Sequence, residues 1–202
     1  ALVLIDGPHA APHLPVNMVE IGCEFYAFSG HKMLGPMGIG VLWGRRELLQ
    51  AMSPFMTGGG MIEEVYPDHA TWAELPDKFE AGTPNVAGAV GLSSAIDYLE
   101  KLGMENVREH DKEIGGYTLQ ELGKVREVTI LGPKDVGVRS GSVSFTYNKV
   151  HAHDVSTILD SEGVAIRSGH HCTMVLHRHL NVIASMRVSF NVYTTKTDID
   201  AF

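Results

Sequence analysis

The chain has 202 residues, of which 44% are hydrophobic and 20% are charged, and its formal net charge is −8. This is the composition of a globular protein with a real core; no basic stripe indicates nucleic-acid binding, and no run of about 18 apolar residues predicts a membrane span. The two cysteines, Cys23 and Cys172, are too few for a disulfide-built protein and favour reduced thiols in a cytoplasmic one.

The first half of the chain predicts three strands, a hairpin and two helices. The opening run ALVLID is continuously apolar and predicts a strand of a parallel sheet, buried on both faces, with Asp6 at its carboxyl end. CEFYAFSG and GIGVLWG predict the next two strands. RRELLQAM predicts a short helix, PFMTGGGMIEEV a glycine-rich bend leading into a hairpin, and AVGLSSAIDYLEKLG a helix that ends at Gly103.

The second half predicts helices and strands in alternation. MENVREHDKEIGGYTLQELGKV and HAHDVSTILDSEG predict helices, and VTILGP, SGSVSFTY, VAIRSGHHC and SMRVSFNVY predict strands. The order favours an α/β fold, with a domain boundary in the helix around Asp97 to Gly103. The chain opens without a methionine or signal peptide and closes on a helix that has only begun, with Thr197 as its N-cap. We therefore expect a fragment of a longer protein.

Lys32 follows a predicted buried strand in the stretch AFSGHKMLGP. A lysine attacks a carbonyl only when it is neutral, and burial or cationic neighbours favour that form. A lysine together with a carboxylate such as Asp6 is the recurring signature of pyridoxal phosphate sites. Ser29, His31 and Thr83, the last in AGTPN, could hold a phosphate. The alternative is that Lys32 is an ordinary surface lysine and that the others are turn or cap residues.

Cys172 lies in RSGHHCTM, behind two histidines and close to Arg167. The thiolate is the reactive form of cysteine, and neighbouring positive charge favours it. The alternatives are a buried structural cysteine and a zinc site in which Cys172, His177 and His179 join His170 or His171. The spacing of these residues matches no zinc motif.

Arg187 alternates with apolar residues in SMRVSFNVY, which predicts an arginine that points inward from a strand. A buried guanidinium needs an anion, and a bidentate grip on a substrate carboxylate would provide one. A structural ion pair is the alternative.

Taken together, these motifs resemble a known family. DGPHAAPHLPVN, CEFYAFSGHKMLGPMGIGVLWG, FMTGGGMI, KFEAGTPNVAG, VAIRSGHHCTM and MRVSFNVY are similar, in order and from Asp6 to about Asp200, to the class V aminotransferase-type cysteine desulfurases. The closest branch is the SufS-like one, which includes selenocysteine lyase activity. The resemblance implies a fold type I pyridoxal-phosphate-dependent transferase. Residues 1–98 would be the C-terminal portion of its large cofactor-binding domain, and 99–202 a small α/β domain truncated at its end.

The resemblance also implies a role for each site residue. Lys32 would form a Schiff base with pyridoxal 5'-phosphate and Asp6 would pair with the ring nitrogen. Ser29 and His31 would hold the phosphate, and Thr83 the phosphate of the neighbouring subunit of a homodimer. Cys172 would take sulfur from L-cysteine as a persulfide and release L-alanine. Arg187 would grip the substrate carboxylate, with Arg167 near the cofactor. A sulfur-acceptor protein would carry the sulfur to iron-sulfur cluster assembly.

The sequence departs from the family pattern at several places. His9 stands where a glutamine usually bonds the ring hydroxyl of the cofactor, and Val175 replaces a frequent proline. The long N-terminal part of the family, with the histidine that stacks on the cofactor, is missing, so we expect the fragment alone to be inactive and to expose sheet edges.

Three alternatives stay open at this point. A selenocysteine lyase would act on selenocysteine without Cys172. An aminotransferase of the same fold would not depend on Cys172. A metal-binding or scaffold protein would use the segment from His170 to His179 and bind no cofactor.

Overall fold

The structure, a computed structural model, describes residues 1–148 and 150–202. The chain forms two compact units. The first unit consists of Ala1–Pro12 and Val16–Lys101, and the second of His13–Pro15 and Leu102–Phe202. Among the described residues, no helix is both long and apolar enough to span a membrane.

The first unit contains a three-stranded mixed sheet and a hairpin. Strands β1 (Leu4–Asp6) and β2 (Phe25–Ser29) run parallel, and β3 (Gly40–Gly44) pairs antiparallel with β2. The short helices α1 (Met18–Ile21) and α2 (Arg46–Ala51) flank the strands in sequence, and β4 (Ile62–Val65) and β5 (Ala70–Trp72) form the predicted hairpin. The unit closes with α3 (Val86–Leu102), which buries Leu92, Ala95 and Leu99.

Strand β1 is not buried on both faces, and that prediction is wrong. Leu2 and Leu4 are 66% and 59% exposed. The sheet order is β1-β2-β3, so β1 lies at an edge, and a three-stranded sheet in this unit has too few neighbouring elements to cover it. The expected exposure of a sheet edge is confirmed.

The second unit is built on a four-stranded antiparallel sheet in the order β6-β7-β9-β8. Its strands are β6 (Val128–Leu131), β7 (Ser142–Tyr147), β8 (Arg167–Gly169) and β9 (Ser185–Ser189). Its helices are α4 (Met104–Leu122), α5 (Ala152–Ser161), α6 (Met174–His179) and α7 (Lys196–Ala201). The core joins α4 to the sheet through Ile114, Val143, Phe145, Met186 and Val188. The predicted long helix and strands are thus present.

Helix α4 buries a charged cluster as well as apolar side chains. Arg108 and Asp111 are 8% and 4% exposed, and Arg108 Nη1 donates to Asp111 Oδ2 at 2.9 Å. The Asp111 carboxylate also accepts a hydrogen bond from Gly141 N at 2.8 Å and lies 3.4 Å from His13 Nδ1. Desolvation raises the pKa of Asp111, but the contacts with His13 and Gly141 outweigh it, so the pKa lies below its ordinary value.

Two helices and one cap differ from the sequence-based expectations. Helices α1 and α6 span four and six residues, too few for a periodic pattern to reveal them. Helix α7 begins after Thr195 and not after Thr197. Thr195 accepts a hydrogen bond from Asp198 N, and Asp198 accepts one from Thr195 N in a capping box. The sequence alone did not reveal the cap, because both threonines are acceptable N-caps and each has an aspartate three residues later, Asp198 and Asp200.

Candidate active site

Lys32 belongs to a tight turn at the carboxyl end of β2. The strand ends at Ser29, and Gly30–Lys32 form one turn of 3₁₀ helix. Gly30 O accepts hydrogen bonds from Met33 N and Gly35 N, both at 2.9 Å. A Cβ on Gly30 would lie 2.9 Å from Ile39 Cγ2, and one on Gly35 would lie 2.9 Å from Gly30 O. The glycines of SGHKMLG are therefore required for the fold of the turn that carries the lysine.

Helix α3 supports this turn from behind. Leu92 Cδ1 lies 3.4 Å and 3.2 Å from the positions where Cβ atoms on Gly30 and Gly35 would stand, and a Cβ on Gly91 would lie 2.9 Å from Pro36 Cγ. Such close approach of helix and turn leaves little space for movement. The backbone of Lys32 is held by packing on a long helix.

The side chains of Lys32 and Asp6 are both without partners. Within residues 1–148 and 150–202, neither side chain takes part in a hydrogen bond or an ion pair. Lys32 is half-buried and Asp6 exposed. Asp6 is the register partner of Ala27, and β1 and β2 are parallel, so Asp6 and Ser29 lie toward the same end of the two strands, their carboxyl end. The fold thus brings a carboxylate, a hydroxyl and an amine to one end of these strands.

The remaining predicted residues of the first unit lie on exposed loops. His9 and His31 are exposed, and so is Thr83. The Thr83 loop is tied to the glycine-rich bend by the hydrogen bond from Gly82 N to Gly59 O, 2.8 Å long. Asn85 then accepts from Gly88 N at the start of α3 and donates to Gly38 O at 3.1 Å. This asparagine, which the sequence analysis did not single out, links the Thr83 loop to the segment before β3.

Cys172 lies in the second unit, on a loop with an unusual backbone. Its side chain is exposed, whereas Cys23 is buried. His171 and Cys172 both have positive φ, 51° and 66°, a left-handed conformation that is costly for residues with a Cβ. Two such residues in succession present the thiol on a sharp turn directly after β8.

Two arginines stand beside this thiol. Arg167 Nη2 lies 3.7 Å from Cys172 Sγ. Arg167 on β8 and Arg187 on β9 are direct register partners, and like charges in such positions repel. Burial lowers the pKa of Arg187, and the charge of Arg167 lowers it further. Cys172 acts in the opposite direction and raises it. The pair forms a positively charged site that a small anion would stabilise.

Behind the thiol, His171 and His177 meet at the hydroxyl of Ser185. His171 Nε2 lies 3.1 Å from Ser185 O and 3.0 Å from Ser185 Oγ, and His177 Nε2 lies 2.8 Å from Ser185 Oγ. Burial, with the charges of Arg187 and Arg167, lowers the pKa of His171 to about 4. Its ring is therefore neutral at neutral pH.

His171 and His177, which the sequence analysis considered as possible zinc ligands, are instead hydrogen-bonded to Ser185. His177 Nδ1 bonds Thr173 O at 3.0 Å, so both of its nitrogens are engaged within the protein. Across the described part of the chain, no group of three or more His, Cys, Asp or Glu side chains could hold a metal ion. The metal-binding alternative has no geometric support. Ser185 was missed because a lone serine in a strand carries no signal of its own.

The fold and these two sites define an α/β protein with a lysine in one unit that has no side-chain partner among the described residues, and an arginine-flanked thiol in the other. All 202 residues match the family described as Aminotransferase class-V, and the chain belongs to that family. A probable cysteine desulfurase of Halalkalibacterium halodurans (strain C-125) is 48% identical over 201 residues, which make up 100% of this chain and 49% of the relative.

Solved structures show the same similarity. The cysteine desulfurase CsdA of Escherichia coli matches with a TM-score of 0.91 and 38% identity, over 99% of this chain and 49% of that one. A cysteine desulfurase of Thermococcus onnurineus NA1 matches with a TM-score of 0.92 and 37% identity, over 100% and 50%. The predicted α/β fold is confirmed. The chain spans about half the length of these relatives.

Proposed function

We propose that the protein is a pyridoxal-phosphate-dependent cysteine desulfurase that converts L-cysteine to L-alanine and leaves the sulfur as a persulfide on Cys172. The observation that carries the proposal is the exposed thiol on its left-handed turn, with Arg167 at 3.7 Å. Relatives that are 48% and 50% identical to the chain over 201 residues are described as probable cysteine desulfurases, which supports the same reaction. Selenocysteine would be the alternative substrate, and aminotransfer the alternative reaction.

The residues of the first unit fit pyridoxal phosphate by their chemistry. Lys32 offers a primary amine with no hydrogen bond or ion pair within residues 1–148 and 150–202, as a bond to an aldehyde requires. The exposed Asp6 carboxylate suits a protonated ring nitrogen, His9 the ring hydroxyl, and Ser29 and His31 the phosphate. Thr83 would serve the phosphate of a partner subunit. When bound, the cofactor supplies an electron sink for the substrate carbon skeleton.

The residues of the second unit would act on the substrate itself. Arg187 would bind the carboxylate of L-cysteine, which also relieves its repulsion with Arg167. The Cys172 thiolate would form a bond to the substrate sulfur as the carbon–sulfur bond of the substrate breaks. The sulfur then remains on Cys172, and the carbon skeleton takes up a proton and leaves as alanine.

The domain assignment and the cellular context are parts of the same proposal. We take residues 1–98 as the end of a large cofactor-binding domain and 99–202 as a small domain. The separation into compact units between Lys101 and Leu102 supports this division. Homodimer formation, transfer of the sulfur to an acceptor protein for iron-sulfur cluster assembly, and a cytoplasmic location are further predictions.

Replacing Cys172 in a protein of full family length tests the proposed reaction. We expect Cys172→Ala to abolish alanine and persulfide formation from L-cysteine, because the variant has no thiol to accept the sulfur. The matched control is Cys23→Ala, which removes the buried cysteine and should keep the activity. Alanine and protein-bound sulfur are quantified with L-cysteine as substrate. Full alanine formation by Cys172→Ala would contradict the proposed role of the thiol. Transfer of the amino group of L-cysteine without loss of its sulfur would favour aminotransferase chemistry, while retained activity on selenocysteine alone would favour a lyase.

A further inference from the structure

The hydrogen bonds around Ser185 fix the hydrogen positions of both histidine rings. Ser185 O can only accept, so the His171 Nε2 that lies 3.1 Å from it must carry the hydrogen. Thr173 O likewise accepts from His177 Nδ1 at 3.0 Å, which leaves His177 Nε2 to accept from the Ser185 hydroxyl at 2.8 Å. The chain of donors therefore runs from His171 to Ser185, from Ser185 to His177 and from His177 to Thr173.

This relay is buried at its centre. Ser185 is 0% exposed and His177 is 5% exposed. A buried hydroxyl is costly unless it is bonded, so the Ser185 hydroxyl must keep both histidine partners. Since β9 carries Ser185 and pairs with a strand on each side, the relay connects the exposed loop to an interior strand of the sheet.

The backbone of the loop that carries Cys172 requires contacts from outside the loop to hold its conformation. His171 and Cys172 both occupy left-handed backbone positions, and neither is a glycine. Residues of this kind stay in that conformation only when surrounding contacts hold them there. The His171 ring provides the contacts, and its other nitrogen, Nδ1, is buried without a hydrogen-bond partner among the described residues. Among the described residues, the hydrogen bonds of the His171 ring thus go to Ser185.

We propose that His171 is a positioning residue: its Nε2–H, bonded to Ser185 in a relay with His177 and Thr173, holds the left-handed turn that keeps the Cys172 sulfur beside Arg167 and Arg187. The inference rests on the proposed function only in giving Cys172 a reaction to perform. The position of the sulfur can be measured without turnover.

Charged groups face the relay from several elements. Arg167 lies on β8 and Arg187 on β9, while His177 comes from α6. The two guanidinium groups add positive charge next to the His171 ring, so a second proton on that ring would meet repulsion as well as burial. The same charges act on any anion that approaches the sulfur, and this provides the readout.

The test compares the alkylation of Cys172 by iodoacetate, which is an anion, and by iodoacetamide, which is neutral. The same thiolate attacks both reagents, so the ratio of the two rates does not depend on how much thiolate is present. It depends on the positive charge next to the sulfur. We expect His171→Ala, which removes the bonds to both Ser185 O and Ser185 Oγ, to lower the ratio by roughly fivefold, because the released turn moves the sulfur away from the arginines.

Matched variants separate positioning from a general loss of structure. His171→Gln keeps a side-chain N–H donor for Ser185 and should restore much of the ratio. Ser156→Ala removes a half-buried hydroxyl, bonded to Ser168 at 3.0 Å and outside the relay, and should leave the ratio unchanged. An unchanged ratio in His171→Ala, or an equal drop in Ser156→Ala, would overturn the inference.

Nuclear magnetic resonance of the unmodified protein tests the relay when a variant does not fold. The ring nitrogen shifts of His171 at neutral pH should show a neutral ring with the hydrogen on Nε2; a hydrogen on Nδ1, or a cationic ring, would overturn the inference. A protein of full family length that has the expected ring state and alkylation ratio but releases no alanine from L-cysteine would contradict the proposed function alone. Alanine release by the unmodified protein together with an unchanged ratio in His171→Ala would contradict the positioning role alone.

Discussion

Asp111 illustrates how much one buried charge contributes to the second unit. Its carboxylate holds Arg108 at 2.9 Å and Gly141 N at 2.8 Å. Asp111→Asn leaves the guanidinium of Arg108 buried without its counter-charge, and we expect the free energy of unfolding to fall by about 3 kcal/mol. Urea denaturation measures the loss.

An exposed acid on the same helix is the control for this prediction. Glu109 pairs with Lys112 at 2.6 Å, and Glu109→Gln should change the free energy of unfolding by less than about 1 kcal/mol, because surface ion pairs contribute little. Equal losses in the two variants would show that the Asp111 cluster is not the stabilising feature.

His171 makes the stability of the second unit depend on pH. Its pKa is lowered to about 4 from an ordinary value of 6.5, so at pH values between these two the unfolded chain binds a proton that the folded protein does not. Stability is therefore full above pH 6.5 and falls as the pH drops toward about 4. Chemical denaturation at a series of pH values measures the slope.

Replacing the ring should remove this contribution. His171→Asn has no titrating group and is expected to flatten the slope in that interval. His179→Asn, at the exposed end of α6, should retain it. A slope that is equally steep in the wild type and in His171→Asn would contradict the assignment.

At the residue scale, the sequence revealed reactive groups but not what surrounds them. Lys32 and Cys172 were predicted because lysine and cysteine carry recognisable chemistry in recognisable motifs. Ser185 was not predicted, because its importance depends on two histidines that only the folded loop brings to it. The same histidines were considered as zinc ligands, since spacing alone does not tell a ligand from a hydrogen-bond partner.

At the scale of elements, the cap of α7 gives a direct test. Thr195 caps the helix and shares a capping box with Asp198, so Thr195→Ala should lower the free energy of unfolding by about 1 kcal/mol. Thr197 is the second residue of the helix, so Thr197→Ala keeps the capping box and should have a smaller effect. Thermal denaturation of both variants decides between the two threonines, and a larger loss in Thr197→Ala would restore the sequence-based cap.

The long elements were predictable from the sequence and the short ones were not. Helix α4 buries side chains at spacings of three and four over its whole length, which a periodic pattern reveals. Helix α6 has six residues and interrupts what the sequence presents as a strand followed by a loop. Strand β1 has the apolar run of a buried strand but lies at a sheet edge, because composition does not tell how many neighbours a strand has.

At the scale of the whole molecule, cofactor binding can be tested on Lys32. Borohydride reduction after addition of pyridoxal phosphate should attach the cofactor to Lys32, whose amine has no hydrogen bond or ion pair within the described ranges. Peptide mass spectrometry locates the label.

Another lysine of the same unit is the internal control. Lys78 is 9% exposed, and its amine is held by Gln50 O at 2.9 Å, so it should stay unlabelled. Lys32→Arg should remove the specific label. Absence of label on Lys32 in a protein of full family length would contradict the cofactor assignment.

The facing arginines of β8 and β9 have one more consequence. Their repulsion is present when the site is empty and relieved when an anion binds, so the folded state gains stability with the logarithm of anion concentration. A protein that is more often unfolded is degraded faster. The lifetime of this protein in the cell would then rise and fall with the supply of the anion that binds between the two arginines, without any change in gene expression.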